Sequence, residues 1–133
     1  MTVVLGISVS HNGSVALLND GEILAAIQAE RISRIKRQWL IPNQQLQLTK
    51  ECINYCLEAA ELSYGQVDAV AISTPWALQK LPDQLVYKLL GGVPRNFLGV
   101  FYVPHHFAHL EYILHFGDAM PGIVLVVDGS GSF

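Results

Sequence analysis

Charge is scarce in this chain. Asp, Glu, Lys and Arg together make up 14% of 133 residues, and the formal net charge at pH 7 is −3. That balance gives no general reason to expect a nucleic-acid partner. Long hydrophobic runs are missing as well: no segment reaches the ~18 uninterrupted apolar residues that a membrane-crossing helix needs. Met1-Thr2-Val3 leads straight into a strand-like run without a basic region and cleavage motif, so no signal peptide is expected and the location is expected to be cytoplasmic. Cysteine is rare. The two present, Cys52 and Cys56, sit at i and i+4 on an amphipathic pattern with Ile53, Leu57 and Ala60, which suits reduced core residues better than a disulfide. Internal repeats and low-complexity linkers are absent, and this length predicts a single domain. What the chain has in quantity is apolar residues, 51% of the total, enough to fill a core.

The coarse order of elements is readable from periodicity and turn residues. Val3 to Ser8, Ser14 to Leu18 and Glu22 to Gln28 read as three consecutive antiparallel strands, with Asn19-Asp20-Gly21 as a tight turn. An amphipathic helix is expected from about Gln44 to Glu61, with Asn43 as N-cap and Gly65 after its end. Val67 to Ser73 reads as a buried strand. Leu78 to Leu90 reads as a helix with Leu81, Leu85 and Leu89 on one side and Pro82 in its first turn, stopped by Gly91-Gly92. Leu98 to Val103 is the next strand. The result is an α/β chain with a mixed sheet of order βββαβαβα plus a terminal strand at Ile123 to Val127. That order resembles the ribonuclease-H-like half of the actin, sugar kinase and Hsp70 superfamily, which is the fold expected here. Residues 1–121 would form this half and 122–133 would begin a second one.

Three of the five histidines fall in Val103-Pro104-His105-His106-Phe107-Ala108-His109. A helix opening at Pro104 places His105 and His109 at i and i+4 on one face, where two neutral imidazoles can grip one divalent ion. His106 lies a quarter-turn away and suits a catalytic group better than a third ligand. Phe107, Leu110 and Leu114 would pack on the opposite side, with Glu111 and His115 on a third. Two helical histidines can also be simply half-buried and hydrogen-bonded to backbone. Farther on, the β-branched run 123–127 ends in Asp128-Gly129-Ser130-Gly131. An aspartate followed by glycines that let backbone N–H groups approach suits metal and phosphate chemistry, although Asp-Gly alone is also a turn signal.

Several features admit two readings. In the turn between the first two strands, Ser10, Asn12, Gly13 and Ser14 could contact phosphate, or form an ordinary Asn-Gly turn. Arg31, Arg34, Lys36 and Arg37 could receive an anion, or form a solvated strand exit. Trp39 and Trp76, near Pro42 and Pro75, suit packing more than ring stacking. A zinc peptidase is disfavoured, since the histidine helix lacks the general base of a His-Glu-x-x-His pattern.

Taken in register, Gly6-Ile7-Ser8, His11-Asn12-Gly13-Ser14-Val15-Ala16-Leu17-Leu18, Asp20 to Ala26, Gln28-Ala29-Glu30-Arg31 and Arg34-Ile35-Lys36 resemble the amino terminus of the carbamoyltransferase family that tailors antibiotics and nodulation factors. The His105-His106-x-x-His109 segment and Asp128-Gly129-x-Gly131 follow in that family's order. The first turn departs from the usual aromatic-His-Asp-Ser form. The resemblance implies metal-assisted transfer of a carbamoyl group from a carbamoyl-adenylate, made from carbamoyl phosphate and ATP, to a hydroxyl acceptor. It implies His105, His109 and Asp128 as ligands of a divalent metal, iron before zinc or manganese, and His106 as a group that orients the carbamoyl or relays a proton. Ser10, Asn12, Gly13, Ser14, Gly129, Ser130 and Gly131 would contact the nucleotide. The expected chain is an amino-terminal fragment, inactive alone, that forms an oligomer or pairs with a chain supplying the missing half. The competing readings are an actin-like ATPase or kinase half-domain, and a non-catalytic metal-binding assembly module.

Overall fold

The computed structural model describes residues 1–74, 81–117 and 122–126. Its first three strands, β1 (Val3–Ser8), β2 (Ser14–Asn19) and β3 (Glu22–Gln28), form an antiparallel meander. Asp20 (φ 48°) and Gly21 (φ 86°) make the two-residue turn between β2 and β3, whose two positive φ angles match the twist of the strands they join. A shift of register between Leu17 and Leu18 puts a bulge into the β2–β3 pair. β4 (Ala69–Thr74) then pairs parallel to β1, and β5 (Gly99–Pro104) parallel to β4. The sheet order is therefore β3-β2-β1-β4-β5.

Among the described residues four α-helices accompany it: α1 (Glu30–Ser33), α2 (Leu46–Ala59), α3 (Asp83–Leu90) and α4 (His105–Phe116). Alternation along the strands explains which face each helix covers. Val3, Leu5 and Ile7 of β1, with Val15 and Leu17 of β2, are buried on one face against Cys52, Ile53 and Cys56 of α2 and Val86 and Leu89 of α3. On the other face Gly6, Ser8, Ala16 and Ala71 are only half-buried, and α4 is the element that overlies it. No helix among the described residues is long and apolar enough to cross a membrane.

Several boundaries differ from the sequence expectation. α2 is capped by Gln45, not Asn43, and the Gln45 side chain instead accepts the Ile41 N–H at 2.8 Å. Its end is set by Glu61 in the left-handed region (φ 55°), with Leu62 N–H donating to the Leu57 carbonyl at 2.9 Å, so Gly65 is not needed as the stop and enters a 3₁₀ turn, Tyr64–Gln66. Pro82 precedes α3 as its cap, and the buried residues there are Val86, Leu89 and Leu90, with Leu81 and Leu85 only partly covered. Gly91 (φ 87°) does stop that helix.

Pro104 likewise caps α4 from outside. The expected packing of Phe107, Leu110 and Leu114 is not found: Phe107 and Leu114 are each 58% exposed and Leu110 is half-buried. No residue of α4 is buried; Ala108, Tyr112 and His115 line a cavity left between this helix and the glycine and alanines of the strands. Gly122–Val126 forms no strand among the described residues, and Ile123 and Leu125 stand in solvent. An apolar run becomes a strand only where an edge pairs with it, and none of the five strands does so. Trp76, Val127 and the Asp128 to Gly131 loop lie outside the described residues.

Candidate functional site

Among the described residues, the β1–β2 turn, the basic segment after β3 and the histidine helix leave from one end of the sheet. Register aligns Gln28, Ser14, Ser8, Ser73 and Val103 across the five strands, at the carboxyl ends of the parallel strands β1, β4 and β5. Ligands of open α/β sheets bind outside such carboxyl ends. The turn after β1, the segment after β3 and the start of α4 after β5 all leave from this rim.

At the β5 end, the helical i, i+4 spacing brings His105 and His109 together, with Nε2 atoms 3.0 Å apart and rings nearly perpendicular at 83°. Two nitrogens bound at right angles to one ion at about 2.1 Å would be separated by about 3.0 Å, so the pair fits two adjacent ligand positions of a transition metal. The same separation suits an N–H···N hydrogen bond between opposite tautomers. Among the described residues no third histidine, cysteine or carboxylate joins them, and Asp128 is outside that set. The His106 ring centroid is 6.0 Å from that of His105, and its Nε2 is buried with no hydrogen-bond partner. A buried ring nitrogen left without a partner is a costly arrangement, tolerated best where a ligand completes it.

The β1–β2 turn is held more tightly than an ordinary loop. Ser10 is buried, and its Oγ accepts the Asn12 N–H at 3.2 Å. Gly13 N–H donates to the Gln38 carbonyl at 2.9 Å, and Ala29 N–H donates to the Gly13 carbonyl at 2.8 Å. A Cβ on Gly13 would run into Leu40, so a glycine is required for this close approach. With the Asn12 and Gly13 N–H groups already used, an anion at this turn would depend on side chains, chiefly Asn12, Ser14 and His11. Trp39 packs its ring on His11 at 6.1 Å, as expected of a packing residue.

Ser8 and Ser73 were not legible from sequence. Cross-strand register sets them beside Ser14, so three hydroxyl-bearing residues share one rung and line a cavity of about 610 Å³ between the sheet and α4, together with Glu111 and His115. Only the pairing of distant strands creates that rung. On the opposite face, Cys52 and Cys56 are fully buried and unbridged. Burial pushes both thiols up from 9.0 to about 11, helped at Cys52 by the neighbouring Cys56 and Glu51. They are packing groups rather than nucleophiles.

Comparisons with known proteins bear on the fold and the family. Over 88% of its length the chain shares the fold of YeaZ from Pseudomonas aeruginosa, at a TM-score of 0.51 and 17% identity, covering 50% of that protein. A second solved structure, an uncharacterized protein with similarity to peptidase YEAZ, matches at 0.53 over the same share. Among curated sequences, the nodulation protein NolNO of Sinorhizobium fredii is 25% identical across 92% of the chain and 20% of its own length. An uncharacterized protein of Methanocaldococcus jannaschii is 28% identical across 97% of the chain and 22% of its own length. The chain thus spans about a fifth of the length of these two relatives. Residues 3–81 match the family described as carbamoyltransferase N-terminus. With well over half its residues inside that match, and its fold that of an actin-like α/β domain, the chain belongs to the carbamoyltransferase family and represents that family's amino-terminal region.

Proposed function

We propose that this chain carries part of the transfer site of an enzyme that moves a carbamoyl group from carbamoyl-adenylate to a hydroxyl of a small acceptor. The observation that carries the reading is the 3.0 Å approach of His105 and His109 Nε2 at the carboxyl rim of a chain in this family. His105 and His109, with Asp128, would hold a divalent cation, iron before zinc or manganese. A cation bound there would supply Lewis-acid polarisation of the mixed anhydride and charge compensation for the departing phosphate.

The remaining roles belong to the chain's own groups. Asn12 and Ser14 at the turn would orient the adenylate's phosphate by side-chain hydrogen bonds. His106 would accept the proton of the acceptor hydroxyl as its oxygen bonds to the carbamoyl carbon and the anhydride C–O bond breaks, with AMP leaving as the anion. Gly129, Ser130 and Gly131 would contribute to the nucleotide side. Because the chain spans about a fifth of its relatives, the reading also assigns further groups of the reaction to residues beyond these 133. On its own the chain is expected not to turn over.

Titration of the chain with Co(II) or Fe(II), followed by absorption and calorimetry, tests the metal assignment. One ion per chain is expected, with His109→Ala weakening binding at least tenfold. Equal affinity in wild type and variant overturns it. Incubation with carbamoyl phosphate, ATP, Fe(II) and a panel of alcohols should give no product above the His109→Ala background. Robust turnover would show that this part of the reading is wrong.

A further inference from the structure

α4 is apolar on two opposite sides, yet none of its 12 residues is buried. Ala108, Tyr112 and Phe116 line the cavity above the sheet, and helical spacing sends Phe107, Ile113 and Leu114 the other way. Phe107, Tyr112, Leu114 and Phe116 are each more than half exposed. A helix with apolar residues all round is normally enclosed, and one this short gains most of its stability from packing. α4 therefore calls for a cover.

The same face supplies a hollow to match the ridge. Gly6, Ala16 and Ala71 give the sheet a shallow floor under the cavity of about 610 Å³, and Ile23 at its wall is 52% exposed. No Lys or Arg occurs in α4 or among the described residues lining the cavity, and Glu111 is the only carboxylate there. Membrane-surface helices and nucleic-acid grooves both need basic residues, so an uncharged protein surface is the occupant that fits. With roughly 100 Å² of side chain in water apiece, Phe107, Tyr112, Ile113, Leu114, Phe116 and Ile23 expose about 600 Å² per copy. Two copies would then bury about 1,200 Å², above the ~1,000 Å² that a specific interface requires.

We infer that this face is a two-fold interface between copies of the chain, in which the α4 ridge of each copy seats in the hollow of the other. A ridge and a hollow on one face make that face self-complementary, which is what a two-fold contact demands. The formal charge of −3 per copy is too small to oppose the contact. The second copy clamps the helix on which His105 and His109 stand, so the interface braces the histidine pair from outside. The inference rests on shape and exposure and requires neither a metal nor carbamoyl chemistry.

Sedimentation of the full chain at low to high micromolar concentration tests it. The mass should rise from that of a monomer to twice that value and stop there. Phe107→Glu/Leu114→Glu on the ridge, and Ala71→Leu in the hollow, should each weaken dimerisation tenfold or more. Tyr55→Glu, on the exposed side of α2 across the sheet, should stay within twofold of wild type. Cross-linking keeps the test open should the ridge or hollow variants fail to fold. A bismaleimide should join Leu114→Cys to Ile23→Cys in a mixture of the two, and should join neither to Tyr55→Cys, while Cys52 and Cys56 stay buried and unreactive. A folded wild type that stays monomeric, even if it binds lipid vesicles or a protein of another sequence at this face, overturns the inference. So does growth beyond a dimer, a dimer weakened equally by Tyr55→Glu, or cross-linking that favours Tyr55→Cys.

Discussion

At the scale of single residues, the two cysteines and Gly13 give the sharpest expectations. With thiols raised to about 11, the folded chain keeps protons that an unfolded chain releases from 9.0 upward. Stability is therefore fully present below pH 9 and falls between pH 9 and about 11, a slope that urea unfolding across that window should show and that Cys52→Ala/Cys56→Ala should flatten. At pH 8 only about one thiol in a thousand is ionised in the folded chain, so alkylation by iodoacetamide should scale with the unfolded fraction and rise with urea. Gly13→Ala forces a methyl group into Leu40 and should cost about 1–3 kcal/mol in the same unfolding assay. The sequence marked Gly13 as a turn glycine. Its reason for being glycine lies in Gln38 and Leu40, which no local pattern reveals.

The elements show where the sequence could be read and where it could not. Strands β1 to β3 and the stop at Gly91 follow from alternation and turn chemistry, which are local. The pairing of His105 with His109 was legible because helical spacing alone dictates it. The ends of α2 were not, since Gln45 bonds back to Ile41 and Glu61 takes the left-handed position without glycine. α4 is the instructive case: its spacing predicts a packed apolar side, yet none of its residues is buried, and Ala108, Tyr112 and His115 only line the cavity between helix and sheet. Phe107 and Leu114 are left outward. Replacing both by Glu should leave unfolding free energy within about 0.5 kcal/mol of wild type, whereas Leu5→Ala in the core should cost about 2–5 kcal/mol. Light scattering at micromolar concentration should show the double Glu variant self-associating less than wild type, because contiguous exposed apolar surface drives association.

For the whole molecule, the parallel half of the sheet is joined to the meander by contacts far apart in sequence. Val3 N–H donates to Asp68 Oδ2 at 2.7 Å across 65 residues, and β1 finds its second neighbour only in β4. Synthesis at ~5–20 residues per second separates the completion of β3 from the arrival of β4 by roughly 2–8 s. During that interval β1 is an unpaired edge, and a chain stalled before Asp68 should be cut readily by protease. One stalled beyond Phe116 should resist over the meander. The aspartate that bonds back to Val3 thus sets an order in time: the three opening strands must wait, exposed and vulnerable to wrong partners, for the residue that closes their sheet.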